Sequence, residues 1–433
     1  SLTEVALRPG INRVLIQAFD AAGAEIERKH HEVWFDDGSV TDVAGAIAAN
    51  TTWTAAGGPY RVTAALTIND GVTLTIEPGA TVYLTAGIGI TVAPGGRISA
   101  EGTEPQPIYF TRPPGATDYG GTITINGTAG APETRFRHVF FNVGSDRAMA
   151  CEANSNVVLD HCEWLRNDVA YLELNGGSFL ISNCIFPSAA NASFQSITGT
   201  GSTPPGGRAI IRDCFFGSTR GYQDVIDFTG GNRPGPLLQV YHNVFTGSDD
   251  DVLDIDGTDA WIEGNIFMHV HRAGSPDSAS AVSGGDDSGQ TSEITIVGNL
   301  FFDVDQAVTA KQGNFFTFLN NTVVDQNSRG SEERREDIVG QPDVFLPAVV
   351  NFADHGSAGA RGMYVEGNVI HSAEKLVRNY TGAEQVTFNN NLFPAGLSWS
   401  GPGSGNMSAP ALLNDVIVEA ATGVSNIPTP TKD

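Results

Sequence analysis

The sequence predicts an all-β solenoid, a chain wound into coils of about 22 residues, each of three short strands and three turns. Three observations predict it. Short apolar alternations follow one another throughout, separated by Gly-rich turns. Gly is abundant (51 residues) while only 17% of residues are charged, a balance that suits tight turns better than long surface helices. One motif also recurs at a near-constant interval: an apolar alternation, then Asn or Cys, any residue, and a large apolar residue.

Residues 1–38 read as a β-hairpin. Arg13-Val14-Leu15-Ile16-Gln17-Ala18-Phe19 runs into the turn Ala21-Ala22-Gly23, and Glu25 to Phe35 returns. The stretch RPGINRVLIQAFDAAGAEI resembles the last hairpin of bacterial immunoglobulin-like modules, which implies a remnant of such a module packing on the next domain as an edge. Residues 39–59 read as a linker. From Tyr60 the character changes: Leu66-Thr67-Ile68, Val72-Thr73-Leu74-Thr75-Ile76, Thr81-Val82-Tyr83-Leu84, Ile90-Thr91-Val92 and Ile108-Tyr109-Phe110 are short strands, with Asn69-Asp70-Gly71, Glu77-Pro78-Gly79 and Pro94-Gly95-Gly96 between them.

The motif then organises the rest. It reads Cys162 with Trp164, Cys184 with Phe186, Cys214 with Phe216, Asn243 with Phe245, Asn265 with Phe267 and Asn299 with Phe301. Asn321 with Val323, Asn368 with Ile370 and Asn391 with Phe393 complete it. The successive intervals are 22, 30, 29, 22, 34, 22, 47 and 23, a basic coil plus loop insertions. The Asn column is expected to be an interior ladder at one bend, where Asn tolerates left-handed backbone and its amide bonds the Asn one coil away. Cys162, Cys184 and Cys214 fill the same small buried slot and are expected as packed free thiols; no CxxC pair suggests zinc. The repeated Phe is expected as core stacking. The insertion 325–347, with its charge run at 331–336, reads as a solvated loop or a flanking helix, and 416–433 as a tail or linker.

This pattern, over residues 60–415, resembles right-handed parallel β-helix proteins, and the opening GVTLTIEPGATVYL looks like the first coils of bacterial surface β-helices. That scaffold hosts many activities, so function has to come from side chains.

Net charge is −25, which disfavours nucleic acid and anionic membranes as partners, and no run approaches a membrane span. A salty or extracellular setting accounts for the overall figure. The chain opens without a charged-then-apolar leader, and we expect a monomeric piece of a longer multidomain protein, secreted or on a bacterial cell surface.

The acids are not spread evenly. Ser248-Asp249-Asp250-Asp251-Val252-Leu253-Asp254-Ile255-Asp256-Gly257 carries five carboxylates, and Asp224-Val225-Ile226-Asp227 precedes it by one coil. Aligning coils on the ladder stacks Asp227 on Asp254 and Asp224 on Asp251, about 4.8 Å apart. Such crowding is costly unless a cation sits among the oxygens, and Ca²⁺ is the first candidate; a solvated acidic turn is the alternative. Lys311 falls on the same strand line two coils on, roughly 10 Å away. It is the only Lys between Lys29 and Lys375, in a strand otherwise of small residues.

Acids on two successive coils followed by a Lys resemble the family-nine polysaccharide lyases, β-helix pectate lyases in which four aspartates hold Ca²⁺ and a Lys is the base. The family's pattern of one Asp, then Asp-Asp-x-x-Asp, matches Asp227, Asp250, Asp251 and Asp254, with Asp224 beside them. The interval to the Lys is longer here by about one coil. The resemblance implies a Ca²⁺-dependent lyase on an acidic, uronate-containing polysaccharide, with Lys311 removing the C5 proton by β-elimination. Only the free amine can do so, a form that a nearby cation favours and neighbouring carboxylates oppose. His269, His271 and Arg272, on the coil after the acids, and Arg220 are candidate substrate-binding residues, with Arg the better bidentate donor. As a zinc site the two histidines lack an evident third ligand.

Two other readings stand beside this one. A secreted carbohydrate-binding or structural module would use Ca²⁺ only to stiffen the solenoid. A glycoside hydrolase needs two carboxyls flanking a bond. Gly284-Gly285-Asp286-Asp287 resembles the Gly-Asp-Asp of β-helix polygalacturonases, but the accompanying Asn-Thr-Asp, Gly-His-Gly and Arg-Ile-Lys signatures are absent.

Overall fold

The computed structural model describes residues 5–231, 233–272, 279–324, 348–353, 357–371, 373 and 375–409. The expected loop at 325–347 and tail at 416–433 lie outside the described residues. Among the described residues there is no helix, and so none able to cross a membrane. Two units, 1–185 and 186–433, are described in turn.

In the first unit, Gly10–Phe19 and Glu25–Phe35 pair antiparallel as a separate two-stranded sheet. Asp20 builds its turn, one carboxylate oxygen accepting from the backbone of Ala22 (2.9 Å) and Ala24 (2.8 Å). The hairpin does not join the coils as an edge strand. It lies on them through side chains: Trp34 Nε1 donates to the Tyr83 hydroxyl (2.8 Å), Thr81 Oγ1 accepts from Ile11 N (2.9 Å), Glu32 bonds the Tyr109 hydroxyl and Arg13 covers the Phe140 ring. The physical reason is that strand Thr81–Leu84 already pairs on both sides, with Tyr60–Ile68 and Ile108–Thr111, and offers no free edge.

The coils also begin earlier than Tyr60. Within the expected linker, Thr41–Ile47 pairs parallel with Tyr60–Ile68, and Thr51–Trp53 with Thr73–Ile76. Trp53 is buried and stacks on Tyr60 at 4.7 Å, so this stretch has an apolar anchor that a linker lacks. From there parallel strands follow at coil spacing, Arg97–Glu101, Thr134–Arg137, Asn156–Asp160 and Ser178–Ser182 forming one wall.

The second unit has three walls of parallel strands. The first runs through Val244–Phe245, Ile266–Val270 and Leu300–Val304. The second runs through Ile197–Thr200, Ile226–Thr229, Leu253–Asp254, Ser280–Gly284 and Gln306–Ala310. The third runs through Leu238–Tyr241, Ala260–Glu263, Glu293–Val297 and Phe315–Leu319. These stacked parallel strands make a right-handed parallel β-helix.

The Asn ladder stands at the bend from third to first wall. Each buried side-chain oxygen accepts both the backbone N–H and the amide N–H₂ of the Asn one coil before, from Asn243 to Asn265, Asn299, Asn321, Asn368 and Asn391, at 2.8–3.2 Å. Asn406 extends it by one further coil. The left-handed residue is not the ladder Asn but the one before it: Gly264, Gly298, Asn320, Gly367 and Asn390 all have positive φ. Cys214 opens the column, its backbone N–H donating to Asn243 Oδ1 (2.9 Å). Cys162, Cys184 and Cys214 are buried free thiols, as is Cys151, which burial pushes up to about 12. Phe186, Phe216, Phe245, Phe267 and Phe301 stack at 4.5–5.1 Å down the core.

Candidate functional site

The site grows from strand alternation on the second wall. Ile226, Leu253, Val282 and Val308 point into the core and are fully buried, so the residues after them point outward. Register pairs Asp227 with Asp254, Asp254 with Ser283 and Ser283 with Thr309, one polar row across four coils. Just before these strands, at the bend, Val225 N donates to Asp251 O and Ile226 N to Val252 O, which keeps the second acidic pair in step. Asp224, Asp250 and Asp251 are only 5–8% exposed, and each offers a carboxylate oxygen within 4.8 Å of the others.

Neutral groups fix these carboxylates and the backbone that carries them. Ser280 N donates to Asp251 Oδ1 at 2.7 Å. Ser248 Oγ accepts from Asp250 N (3.1 Å) and donates to Asp251 O (3.0 Å). Gln195, from the preceding coil, donates through Nε2 to Asp224 Oδ2 and to Asp227 Oδ2, both at 3.1 Å. Asp249 accepts from Gly221 N (3.1 Å).

Lys311 comes one step beyond the Gly284–Ala310 pair, beside Gly285. Its Nζ lies 3.8 Å from Asp254 Oδ1, an oxygen buried without a hydrogen bond. Gly285 makes this reach feasible. A Cβ there would sit 3.0 Å from Lys311 Cε, 2.7 Å from Asp256 Oδ1 and 2.0 Å from Gln312 Oε1. Asp256 accepts from Gly285 N and completes the group.

The electrostatics follow from burial. Desolvation first, then the charges of Asp254, Asp250 and Asp227, holds Asp224 well above the ordinary carboxylate range. Burial, then Asp250 and Asp254, does the same to Asp251. Burial and Asp254 push Asp227 and Asp256 up to about 6, with Lys311 opposing in both. The chain thus gathers more negative charge than one lysine offsets.

The expected substrate-binding residues divide. Arg220 is exposed at the bend before Asp224. His271 is 4% exposed and held between two carboxylates, Nδ1 to Asp305 Oδ1 (3.0 Å) and Nε2 to Asp303 Oδ2 (3.1 Å). This enclosure leaves His271 little surface to offer a substrate. Burial opposes its charge, but the two carboxylates outweigh that and push it up to about 9. Asp303 is driven well below the usual carboxylate range: burial opposes this, and the bonds from His269 and His271 overcome it. His269 is partly exposed and bonds Asp303 Oδ2 through Nδ1 at 2.8 Å. Arg272 donates its backbone N–H to Asp305 Oδ2 at 3.1 Å. Asp286 accepts from Gly289 N (2.9 Å) in the tight turn closed by Asp287 and Gln290.

Sequence reasoning missed Gln195 and Asp303, and gave Asp256 and Gly285 no part in the pocket although it named both. Gln195 was findable: Ile197 pairs with Ile226, so Gln195 occupies the Asp224 row one coil earlier.

Residues 45–137 match the family described as a pectate-lyase like beta helix domain. The matched stretch precedes the acidic cluster in sequence. No curated protein and no solved structure matches the chain. With stacked parallel strands and this match, the chain is a parallel β-helix that resembles the pectate lyases.

Proposed function

We propose that the protein is a Ca²⁺-dependent polysaccharide lyase that cleaves a uronate-containing polymer by β-elimination. The observation that carries this reading is the convergence of Asp227 and Asp254 with the Lys311 amine, 3.8 Å from Asp254 Oδ1. The pectate-lyase-like match supports action on carbohydrate.

The residues fit a hard cation. Every nearby anionic donor is a carboxylate oxygen, three of them sealed from water, and Asp254 Oδ1 is a buried acceptor that no hydrogen bond satisfies. Asp224, Asp227, Asp250, Asp251 and Asp254 would hold the ion. Bound there, Ca²⁺ would draw charge from the substrate's carboxylate and acidify the proton on C5.

The chain's own residues do the rest. Lys311, as the free amine, takes the C5 proton. The C–H electron pair becomes the C4–C5 double bond, and the C4–oxygen bond to the neighbouring sugar breaks, that oxygen taking a proton from solvent. Gln195 keeps Asp224 and Asp227 facing the pocket, and Gly285 leaves the lysine stem its path.

One observation favours a second reading. Asp224, Asp250 and Asp251 are almost wholly buried, as suits a cation that stiffens the coils of a binding or structural module. Assay of unsaturated product, with chelation and Lys311→Ala, separates the two. A lyase loses product in both cases; a structural module makes none and loses only thermal stability on chelation.

A further inference from the structure

We propose a second metal site, formed by His269, His271 and Asp303, that takes a borderline divalent transition ion such as Zn²⁺ or Co²⁺. It stands on different residues from the acidic pocket and does not depend on the lyase reading.

Register builds it. Met268 pairs with Phe302 and Val270 with Val304, so His269 and Asp303 occupy matching positions on successive coils. Both have left-handed backbone, φ 51° and 55°. His271 follows two residues on. Asp303 Oδ2 then receives both imidazoles, His269 Nδ1 at 2.8 Å and His271 Nε2 at 3.1 Å, and the three donor atoms lie within 4.8 Å of one another. Donors bonded to one ion at about 2.0–2.2 Å are separated by about 3–3.5 Å in tetrahedral or cis positions. The two nitrogen–oxygen separations already lie near that range.

The tautomer argument sharpens this. Asp305 Oδ1 takes the proton on His271 Nδ1 at 3.0 Å, the outer carboxylate that commonly orients a metal-bound imidazole. In a neutral His271 so oriented, the Nε2 lone pair faces the Asp303 oxygen. Two lone pairs at that distance repel unless a proton or a cation lies between them. The cluster is therefore either a protonated ion-pair lock or a metal site. The other oxygen of the same carboxylate, Asp303 Oδ1, is buried without a hydrogen bond, which a proton shared between His271 and Oδ2 leaves unsatisfied and a cation held by the carboxylate would satisfy. His269, with a side chain 42% exposed, gives an entry path, while His271 is enclosed. Two nitrogens and one oxygen select zinc-like ions over calcium, unlike the all-oxygen pocket.

The test is titration of chelator-stripped protein with Zn²⁺ by calorimetry and with Co²⁺ by visible absorption, in excess Ca²⁺. The expected result is one equivalent bound with micromolar or tighter affinity, with Co²⁺ bands of a nitrogen-containing site. His269→Ala, a change at a half-exposed position, lowers affinity at least tenfold. Asp303→Asn does the same, and Asp227→Asn leaves it unchanged. No uptake below millimolar metal, or uptake that His269→Ala does not weaken, overturns the site and leaves the ion-pair lock. The other histidines, including the stacked His138 and His161, are controlled for by the same variant.

Discussion

Lys311 reaches back past Gly285 to Asp254, placing its ammonium 3.8 Å from a buried carboxylate oxygen two coils away. The contact joins this amine to the outward row headed by Asp227. Gly285→Ala tests it. The added methyl meets the far ends of Gln312, Asp256 and Lys311 side chains, which can shift, so the fold should survive. We expect the lysine to be displaced and lyase turnover to fall by about tenfold or more, with a small change in melting temperature. Unchanged turnover would mean that Lys311 needs no clear path over this residue.

Asp227→Asn separates a cation pocket from an idle acidic cluster. Without metal, the change removes a like charge crowded by Asp254, so the chelated variant should melt higher than the chelated wild type. With Ca²⁺ the order should reverse, because the variant loses a ligand. Calorimetric melting with and without chelator reads both signs. A variant that gains as much from Ca²⁺ as the wild type contradicts the assignment.

Stability should fall as pH rises in the chelated protein. Asp227 and Asp256 are raised to about 6 in the folded state, so the native chain binds more protons than the unfolded one between the ordinary Asp range and pH 6. Their contribution is whole below about pH 4 and is lost by about pH 6. His271, raised to about 9, adds a second loss between its ordinary value near 6.5 and 9. Denaturant melts from pH 4 to 9 in chelator should show both declines; a stability maximum near pH 8 would contradict them.

The ladder predicts a purely structural cost. Asn299 Oδ1 satisfies the buried backbone N–H and side-chain amide of Asn265, and its own amide bonds Ile262 O. Asn299→Ala leaves the Asn265 backbone N–H without its acceptor and takes one of two bonds from the Asn265 amide, which keeps Val240 O, and should cost about 2–3 kcal/mol in denaturant unfolding, without altering Ca²⁺ affinity. A neutral substitution would mean that water replaces the amide.

Much of this was legible in the sequence, for one physical reason. A solenoid converts constant interval into contact, so the ladder spacing alone stacked Asp227 on Asp254 and carried Lys311 to the same line. The same arithmetic, applied further, would have found the histidine partner. Asn265 and Asn299 are 34 residues apart, and His269 and Asp303 share that separation. What spacing does not encode is reach. That Gly285 opens a path for the lysine, or that His271 is enclosed by two carboxylates, depends on side-chain volume and direction. The start of the solenoid was missed because the strands at 41–47 and 51–53 carry few large apolar residues besides Trp53.

The most direct measurement is the near-ultraviolet absorbance of unsaturated product when the protein is mixed with pectate, alginate or ulvan. Lyase chemistry predicts a steady rise on at least one polymer with Ca²⁺. Chelator should abolish it, and Lys311→Ala should reduce it by about a hundredfold or more while the variant still binds Ca²⁺. No absorbance on any uronate polymer by protein shown to hold Ca²⁺, or full activity in Lys311→Ala, would contradict it.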